Sequence, residues 1–216
     1  MLVSVEVAGT AVQSAMKKIP GFALIVSVLL TGCSRAPEVK NLDSQGSNII
    51  CLGDSLTSGV GAEPGQDYPS LLSGYLNRKV INAGVSGDTT RDALKRIKKD
   101  VMEQNPQMVI IILGGNDFLQ KLPKEETFQD LEKIVALVQS GGAAVTLAEI
   151  KTGLLNDPYL NGFKYLARQK KTLLIPDILK GIIGNPGLMS DTIHPNAKGY
   201  AVMAKRIYEG IKPYVK

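Results

Sequence analysis

One segment near the middle of the chain most constrains what it can fold into. Residues 108–113 read Met-Val-Ile-Ile-Ile-Leu, with no alternation of polar and apolar side chains. A half-buried strand alternates with a period of two, so this run indicates a strand that is buried on both faces. Short apolar runs alternate with helical patterns on either side of it. This order is typical of an α/β fold, in which helices cover a parallel sheet.

The chain from Asn48 onward predicts one domain with five strands and five longer helices. We expect strands at about 48–52, 79–83, 108–113, 143–148 and 172–175, and helices near 69–77, 90–103, 127–140, 158–170 and 197–212. The predicted architecture is a three-layer α/β/α sandwich with a five-stranded parallel sheet in the flavodoxin-like order 2-1-3-4-5. Ligands of such open sheets bind beyond the carboxyl ends of the strands, where the strand order reverses. Residues that follow strands 1, 2 and 3 are therefore the first candidates for a site.

The charge of the chain indicates which kinds of partner it can bind. The formal net charge is +5, but the lysines are spread along the chain and aromatic residues make up only 5%. A nucleic-acid-binding protein is expected to combine a clustered basic face with stacking platforms, so the composition disfavours nucleic acid. A basic surface that faces anionic lipid is the milder alternative.

The first 32 residues are typical of a signal peptide. Two lysines, Lys17 and Lys18, precede an apolar run at 19–30 that is too short to span a bilayer comfortably. The run ends in Leu-Thr-Gly-Cys at 30–33, which resembles the lipobox of bacterial lipoproteins, whose cysteine is lipidated and becomes the first mature residue. Met16 directly precedes the lysines and is a candidate start. The alternative is that Cys33 is a plain thiol after an uncleaved hydrophobic anchor.

Lipidation at Cys33 predicts an exported protein of the bacterial cell envelope, held at a membrane by its N-terminal lipid. Ser34 follows the cysteine in place of aspartate, which by resemblance to Gram-negative sorting rules favours the periplasmic face of the outer membrane. We expect residues 33–47 to be a lipidated tether and residues 48–216 to be the domain. The only other cysteine, Cys51, lies in an apolar run and is expected to be a buried core thiol, so no disulfide is possible in the mature chain.

A candidate nucleophile follows the first strand. Gly-Asp-Ser-Leu-Thr at 53–57 places Ser55 just past a strand end, where a following turn can expose its hydroxyl. The motif differs from the Gly-x-Ser-x-Gly elbow of α/β-hydrolases, because Thr57 stands where that elbow has glycine. Taken alone, the tripeptide equally fits a turn or a helix cap.

The next two strands end in motifs that can supply hydrogen-bond donors. Gly84, in Asn-Ala-Gly-Val-Ser-Gly-Asp, lies at the lip of the sheet, and a glycine lets its N–H approach a ligand closely. Asn116, in Gly-Gly-Asn-Asp, can point an amide donor at the same place. Each motif is also an ordinary turn signal, with Asp88 or Thr89 as a cap for the following helix.

The only histidine of the chain precedes the last helix. His194 stands in Asp-Thr-Ile-His-Pro, three residues after Asp191. In this arrangement Asp191 can hold the imidazole in one tautomer while the other ring nitrogen takes a proton from a serine. For Asp191 alone, a role in a turn is the alternative.

These four blocks resemble those of the SGNH or GDSL hydrolases, in the order of that family and over most of the chain from Asn48. The blocks are Leu-Gly-Asp-Ser-Leu-Thr, Asn-Ala-Gly-Val-Ser-Gly-Asp-Thr-Thr, Leu-Gly-Gly-Asn-Asp and Asp-x-x-His-Pro-Asn. The residues of these blocks are most similar to those of the branch of bacterial arylesterases, acyl-CoA thioesterases and lysophospholipases. The stretch from Lys151 to Leu160, where such enzymes shape the acyl site, resembles no segment of the family that we recognise.

The resemblance implies a serine hydrolase of ester or thioester bonds, with no cofactor. It implies Ser55 as nucleophile, His194 as general base and Asp191 as its partner. The N–H groups of Ser55 and Gly84 and the side chain of Asn116 would form the oxyanion hole. A metal site is disfavoured, since a single histidine leaves only carboxylates to build one.

Two other functions remain open at this point. A carbohydrate esterase that removes acetyl groups from a polysaccharide would use the same site. A non-catalytic envelope lipoprotein would keep the fold and bind a partner instead of a small-molecule ester or a lipid.

Overall fold

In a computed structural model of the protein, the structure describes residues 38–151 and 158–215. Five parallel strands form one sheet in the order β2-β1-β3-β4-β5, which confirms the predicted fold class and strand order. The strands are β1 (Asn48–Gly53), β2 (Val80–Gly84), β3 (Pro106–Ile112), β4 (Ala144–Ala148) and β5 (Leu173–Ile175). The predicted signal peptide and Cys33 lie outside the described residues. So do residues 152–157, which belong to the stretch from Lys151 to Leu160.

Seven α-helices are found in the described parts of the chain. They are α1 (Ser55–Ser58), α2 (Tyr68–Leu76), α3 (Thr90–Asp100), α4 (Gly115–Leu119), α5 (Lys124–Ser140), α6 (Pro158–Lys170) and α7 (Ala197–Ile211). The five longer ones match the predicted helices. The structure has short helices, α1 and α4, where the sequence predicts turns. Four or five residues show no periodicity from which a helix can be recognised. Over the described residues, no helix is both long and apolar enough to cross a membrane.

The sheet is buried on both faces, as the apolar run at its centre predicts. Alternate residues of β1 face opposite sides: Ile49 and Cys51 pack with α2 and α7, whereas Ile50 and Leu52 pack with α3, α5 and α6. Cys51 is a free thiol that is fully buried, and this burial raises its pKa to about 12. It is therefore a core residue, as expected.

Residues 38–47 differ from the predicted free tether, because they are bonded to the edge of the sheet where the strands begin. Lys40 donates its N–H to the carbonyl of Lys171, and the Asn41 side chain donates to the carbonyls of Gln139 and Ala143. Ser47 donates its N–H to Asn105 just before β3. These bonds satisfy carbonyls of three turns at that edge, so the ordered domain begins before Asn48.

The register of the central strands aligns their carboxyl ends. Gly53, the last residue of β1, pairs with Gly84 of β2 and with Ile112 of β3. The loops that follow these three strands therefore leave the sheet side by side. They form the edge at which the predicted site residues meet.

Candidate active site

Ser55 is presented by the short helix that directly follows β1. Asp54 caps this helix, and its carboxylate accepts the N–H of Leu56 at 3.0 Å. The helix ends at Gly59, whose φ of +90° is a left-handed conformation that glycine adopts without strain. As the first residue of α1, Ser55 has an N–H with no partner inside the helix. No described group accepts this N–H. The hydroxyl and the N–H of Ser55 thus lie together at the carboxyl edge of the sheet.

Close packing under α1 depends on two glycines. A Cβ on Gly53 would lie 2.0 Å from Thr57 Oγ1, and a Cβ on Gly84 would lie 2.2 Å from the backbone nitrogen of Ser58. Any side chain at these positions would push α1 away from the sheet. The buried Thr57 hydroxyl also bonds to the hydroxyl of Tyr68 at 3.0 Å, which ties α1 to the start of α2.

The His194 loop forms a hydrogen-bonded chain with Ser55. Nδ1 of His194 donates to Asp191 Oδ2 at 2.7 Å, and Nε2 lies 3.0 Å from Ser55 Oγ. Because Nδ1 carries the proton toward Asp191, Nε2 is left as the acceptor for the serine hydroxyl. The structure therefore brings together Ser55, His194 and Asp191 in the arrangement that the sequence predicts.

Asp191 is also held by the backbone of its own loop. Its Oδ1 accepts the N–H groups of Ile193 at 2.8 Å and His194 at 2.7 Å. The His194 side-chain bond, followed by these two backbone bonds, lowers the pKa of Asp191 to about 2. The carboxylate therefore stays charged at neutral pH, and the 51% exposure of the Asp191 side chain to water favours the same form.

Further hydrogen bonds fix the His194 loop and the helix behind it on the domain. Ser190 donates its N–H to the carbonyl of His194 at 2.9 Å. Asn196 caps α7, and its side chain donates to the carbonyls of Gly187 and Met189. Tyr200, in the first turn of α7, donates its hydroxyl to the carbonyl of Val60 at 2.7 Å. This bond ties the helix behind His194 to the loop behind Ser55.

Asn116 is the second residue of α4 and lines the same cleft as Ser55 and His194. Its Nδ2 donates one hydrogen bond to the carbonyl of Asp88 at 2.9 Å. An amide nitrogen has two hydrogens, so the second remains available toward the cleft. The neighbouring Asp117 is buried and accepts both the N–H and the hydroxyl of Thr90, which joins α4 to the start of α3.

Gly84 does not have the donor role that the sequence suggested. Its N–H donates to the Oδ1 of Asn82 at 2.9 Å, so this donor is already taken within its own strand. In addition, Val85 donates to Gly53 across the strand pair, and the N–H groups of a parallel strand point alternately to its two sides. The N–H of Gly84 therefore points away from β1. The role of Gly84 is to allow the close approach of α1.

A different glycine of the same block was missed. Gly87 lies in the loop between β2 and α3, next to Asp88, and has a φ of +88°. A Cβ there would meet nothing within 4 Å, so only the backbone conformation requires glycine. Within the described residues, no group accepts the N–H of Gly87. The position of Gly87 in the sequence, in the loop after β2, favours it as a hydrogen-bond donor to a ligand. Ligands of such sheets bind at the loops that follow the strand ends.

Arg96 of α3 holds the ends of β1 and β2 in place. Its guanidinium donates to the carbonyls of Gly53 and Ala83 and binds the carboxylate of Asp88 at 2.6 Å. The Arg96 side chain is only 17% exposed, so these bonds are shielded from water. It thus positions both the start of the Ser55 helix and the loop that carries Gly87.

Asp54 is a second acid at the site. It is buried against the cleft, and this burial raises its pKa from 3.8 to about 6, although the Leu56 N–H and His194 act in the opposite direction. The structure thus keeps one carboxyl of the site, Asp191, strongly acidic and the other weakly acidic.

The cleft above Ser55 is mainly apolar. It has a volume of about 180 Å³, and its lining includes Leu56, Ile150 and Leu179 besides the polar groups already described. Four large apolar residues at its rim are 43% to 54% exposed: Phe118, Leu119, Ile183 and Ile193. The cleft is smaller than the roughly 300–1,000 Å³ of sites that enclose whole drug-sized ligands, so it fits one part of a substrate.

Comparison with known proteins identifies the family of this site. Residues 51–202 match the model of the GDSL-like lipase/acylhydrolase family. The chain belongs to this family. It is a GDSL-type esterase, a hydrolase that acts on ester bonds.

The GDSL relatives extend over most of the chain. Esterase TesA of Pseudomonas aeruginosa is 30% identical over 199 residues, which cover 87% of this chain and 98% of the relative. Thioesterase 1/protease 1/lysophospholipase L1 of Escherichia coli is 29% identical over 175 residues, 77% of this chain and 84% of that protein. A crystal structure of TesA superposes with a TM-score of 0.74 at 29% identity, over 78% of this chain and all of the other.

Proposed function

We propose that this esterase uses Ser55 as nucleophile, His194 as general base and Asp191 as the partner that orients the imidazole. The observation that carries the proposal is the continuous hydrogen-bonded chain from Asp191 Oδ2 through both ring nitrogens to Ser55 Oγ. His194 removes the hydroxyl proton as Ser55 attacks the carbonyl carbon of the ester. The same proton then goes to the leaving alcohol or thiol, and water repeats the sequence on the acyl-enzyme.

The negative charge that develops on the carbonyl oxygen requires donors on the opposite side from His194. The N–H of Ser55 and the second amide hydrogen of Asn116 are two of them. We assign the third to the N–H of Gly87, because Asn116 bonds to the carbonyl of Asp88, directly after Gly87. We do not assign this role to Gly84, whose N–H donates to Asn82. Such preorganised donors stabilise the transition state without reorganisation during the reaction.

Labelling with a fluorophosphonate probe tests the nucleophile. The wild-type protein should be labelled at Ser55, and Ser55→Ala should abolish both labelling and hydrolysis, with a loss of activity on the order of 10⁶. Ser86→Ala is a matched control, since Ser86 is exposed in the loop after β2. Wild-type hydrolysis by Ser55→Ala would refute the assignment.

The natural substrate class follows from the lining of the cleft. We propose that the acyl group is an apolar chain longer than acetyl, because the exposed apolar rim residues would lose water only against such a chain. A panel of p-nitrophenyl esters from acetate to decanoate measures this. The kcat/KM should rise by up to roughly fourfold per added methylene, from about 0.8 kcal/mol for each CH₂ that is buried.

A variant pair makes the acyl-chain test specific to the rim. Ile183→Ser should flatten the dependence on chain length. Leu137→Ser should not, because Leu137 is exposed to a similar extent but lies on α5, away from the cleft. A preference for acetate, or for acetylated sugars, would instead support a carbohydrate esterase.

We further propose that the protein is exported and lipidated at Cys33, and that it is held at the periplasmic face of the outer membrane. The proposal rests on two lysines, an apolar run and Leu-Thr-Gly-Cys at 30–33. Mass spectrometry of the mature N-terminus tests it directly. An unmodified Cys33 would exclude the lipid anchor and leave the esterase assignment untouched.

A further inference from the structure

The described chain begins at the edge of the sheet that is farthest from Ser55. Lys40 and Asn41 bond to the turns before β5 and β4, and Ser47 bonds to the turn before β3. Ser55 follows the other end of β1. β3 has seven residues at roughly 3.3 Å each, so the two edges are roughly 20 Å apart. We call them the entry edge, where the strands begin, and the catalytic edge, where they end.

The entry edge is rich in exposed cations that have no ion pair in the described residues. They lie in the turns before the strands and in the last turns of α3 and α6: Lys40, Lys79, Lys98, Lys99 and Arg168. Lys171 also lies there and pairs with Glu38. The acids without an ion pair at this edge are Asp43 and Glu103. The entry edge therefore carries an excess of positive charge.

The catalytic edge has no such excess of exposed cations. In the loops that follow the strands, five of the eight acids are buried: Asp54, Asp67, Asp88, Asp117 and Glu149. The other three, Glu63, Asp177 and Asp191, are matched by three exposed lysines, Lys121, Lys151 and Lys180. The exposed charge of these loops is therefore balanced, and the excess of positive charge lies at the entry edge.

We propose that the entry edge is a docking surface for anionic lipid headgroups, which turns the catalytic cleft away from the membrane that anchors the chain. The inference extends the proposed lipidation of Cys33. Four residues lie between Cys33 and Glu38, and the five steps from one to the other span at most roughly 18 Å in a fully extended chain. The lipid would thus hold the entry edge, and not the catalytic edge, close to the bilayer.

Electrostatics favours the same orientation. The attraction of an anionic surface falls off over a Debye length of roughly 8–10 Å at physiological salt. The catalytic edge, roughly 20 Å farther out, lies beyond that range. A molecule turned the other way would move the cations of the entry edge out of reach of the lipid phosphates. The substrate consequently reaches Ser55 from the aqueous phase and not from the anchoring leaflet.

Energy transfer to the bilayer measures the orientation in the full lipidated protein. A fluorophore is placed at Gln45→Cys on the entry edge or at Glu63→Cys on the catalytic edge; both positions are exposed, whereas Cys51 is buried and will not react. The vesicles contain phosphatidylethanolamine, phosphatidylglycerol and an acceptor lipid. Transfer should be strong from position 45 and weak from position 63. The difference should shrink in vesicles without phosphatidylglycerol and in 1 M salt.

Charge-reversal variants separate the docking surface from the anchor alone. Lys98→Glu with Lys99→Glu should reduce the difference between the two labels, whereas Lys180→Glu with Lys198→Glu, exposed lysines of the catalytic edge, should preserve it. Added to vesicles from solution, the first pair should bind at least roughly 25-fold more weakly than wild type, since each lysine near an anionic surface contributes about 1 kcal/mol, or roughly fivefold.

Equal transfer from both positions, or stronger transfer from position 63, would overturn the proposal. Hydrolysis of a soluble ester by every variant reports separately on Ser55 catalysis, and the mass of the N-terminus reports separately on lipidation. If Cys33 proves unmodified, the same labels placed in a Cys33→Ser background and added to vesicles from solution still decide whether the entry edge binds anionic lipid.

Discussion

Removing the charge of Asp54 offers a quantitative test of the electrostatics of the site. Asp54 is only 2% exposed and caps the helix that carries Ser55. Its carboxylate has lost most of its hydration, and the resulting pKa is about 6, compared with 3.8 for an ordinary aspartate. Asp54→Asn keeps an oxygen that can accept the Leu56 N–H and removes the buried charge.

The direction of the effect follows from proton linkage. The folded protein binds the Asp54 proton more tightly than the unfolded chain does, so its stability falls as the pH rises from about 4 to about 6. A rise in pKa from 3.8 to about 6, at 1.36 kcal/mol for each tenfold change in proton affinity, corresponds to about 3 kcal/mol. Above pH 6 the wild-type protein carries this full penalty, and the Asn variant does not.

Urea denaturation of both proteins between pH 3.5 and pH 8 measures this difference. The free energy of unfolding of Asp54→Asn minus that of wild type should be constant below pH 4, rise by about 3 kcal/mol between pH 4 and 6, and then level off. Taking the difference cancels the titration of the groups that do not interact with Asp54. Asp43→Asn, at an exposed acid of the entry edge, is the control. A difference curve that is flat across pH 4 to 6 would show that the Asp54 carboxylate is not desolvated.

Three further predictions concern the neighbouring residues. Asn116→Ala removes one oxyanion donor and should lower kcat by roughly 10²- to 10³-fold with little change in KM; an unchanged kcat would exclude the donor role. Asp191→Asn replaces the acceptor of the Nδ1 proton and should lower kcat by roughly 10²- to 10⁴-fold; an unchanged kcat would show that Asp191 does not orient the imidazole. Gly84→Ala places a Cβ 2.2 Å from the backbone of Ser58 and should reduce the unfolding free energy by about 1–3 kcal/mol in urea. Gly74→Ala, in the exposed interior of α2 with nothing within 4 Å, should raise it by about 0.5–1 kcal/mol; equal effects of the two would refute the packing argument.

Local patterns were sufficient to predict the scaffold. The unbroken apolar run of β3 reports burial on both faces, and the helical periodicity of segments such as α7 reports one buried face. Because parallel strands end at one edge, the position of a motif just past a strand also predicted that Ser55 and Asn116 would lie near each other. The spacing of Asp191 and His194 is local as well, since one loop holds both residues.

The tertiary structure decided which donors are free and how acidic each carboxyl is. The sequence predicted the donor role for Gly84, and only the folded structure shows that the N–H of Gly84 bonds to Asn82 and points away from β1. The docking of residues 38–47 likewise depends on carbonyls more than 90 residues away in the chain, such as that of Gln139.

The apolar rim of the cleft, the burial of Asp54 and the excess of positive charge at the entry edge have the same origin. Each depends on atoms that come from segments far apart in the chain. Hydrogen-bond competition and desolvation act between such atoms only after the chain has folded, whereas hydrophobic periodicity is already present in each segment. The sequence therefore determined the sheet and the residues at its carboxyl edge, and the fold decided what those residues can do.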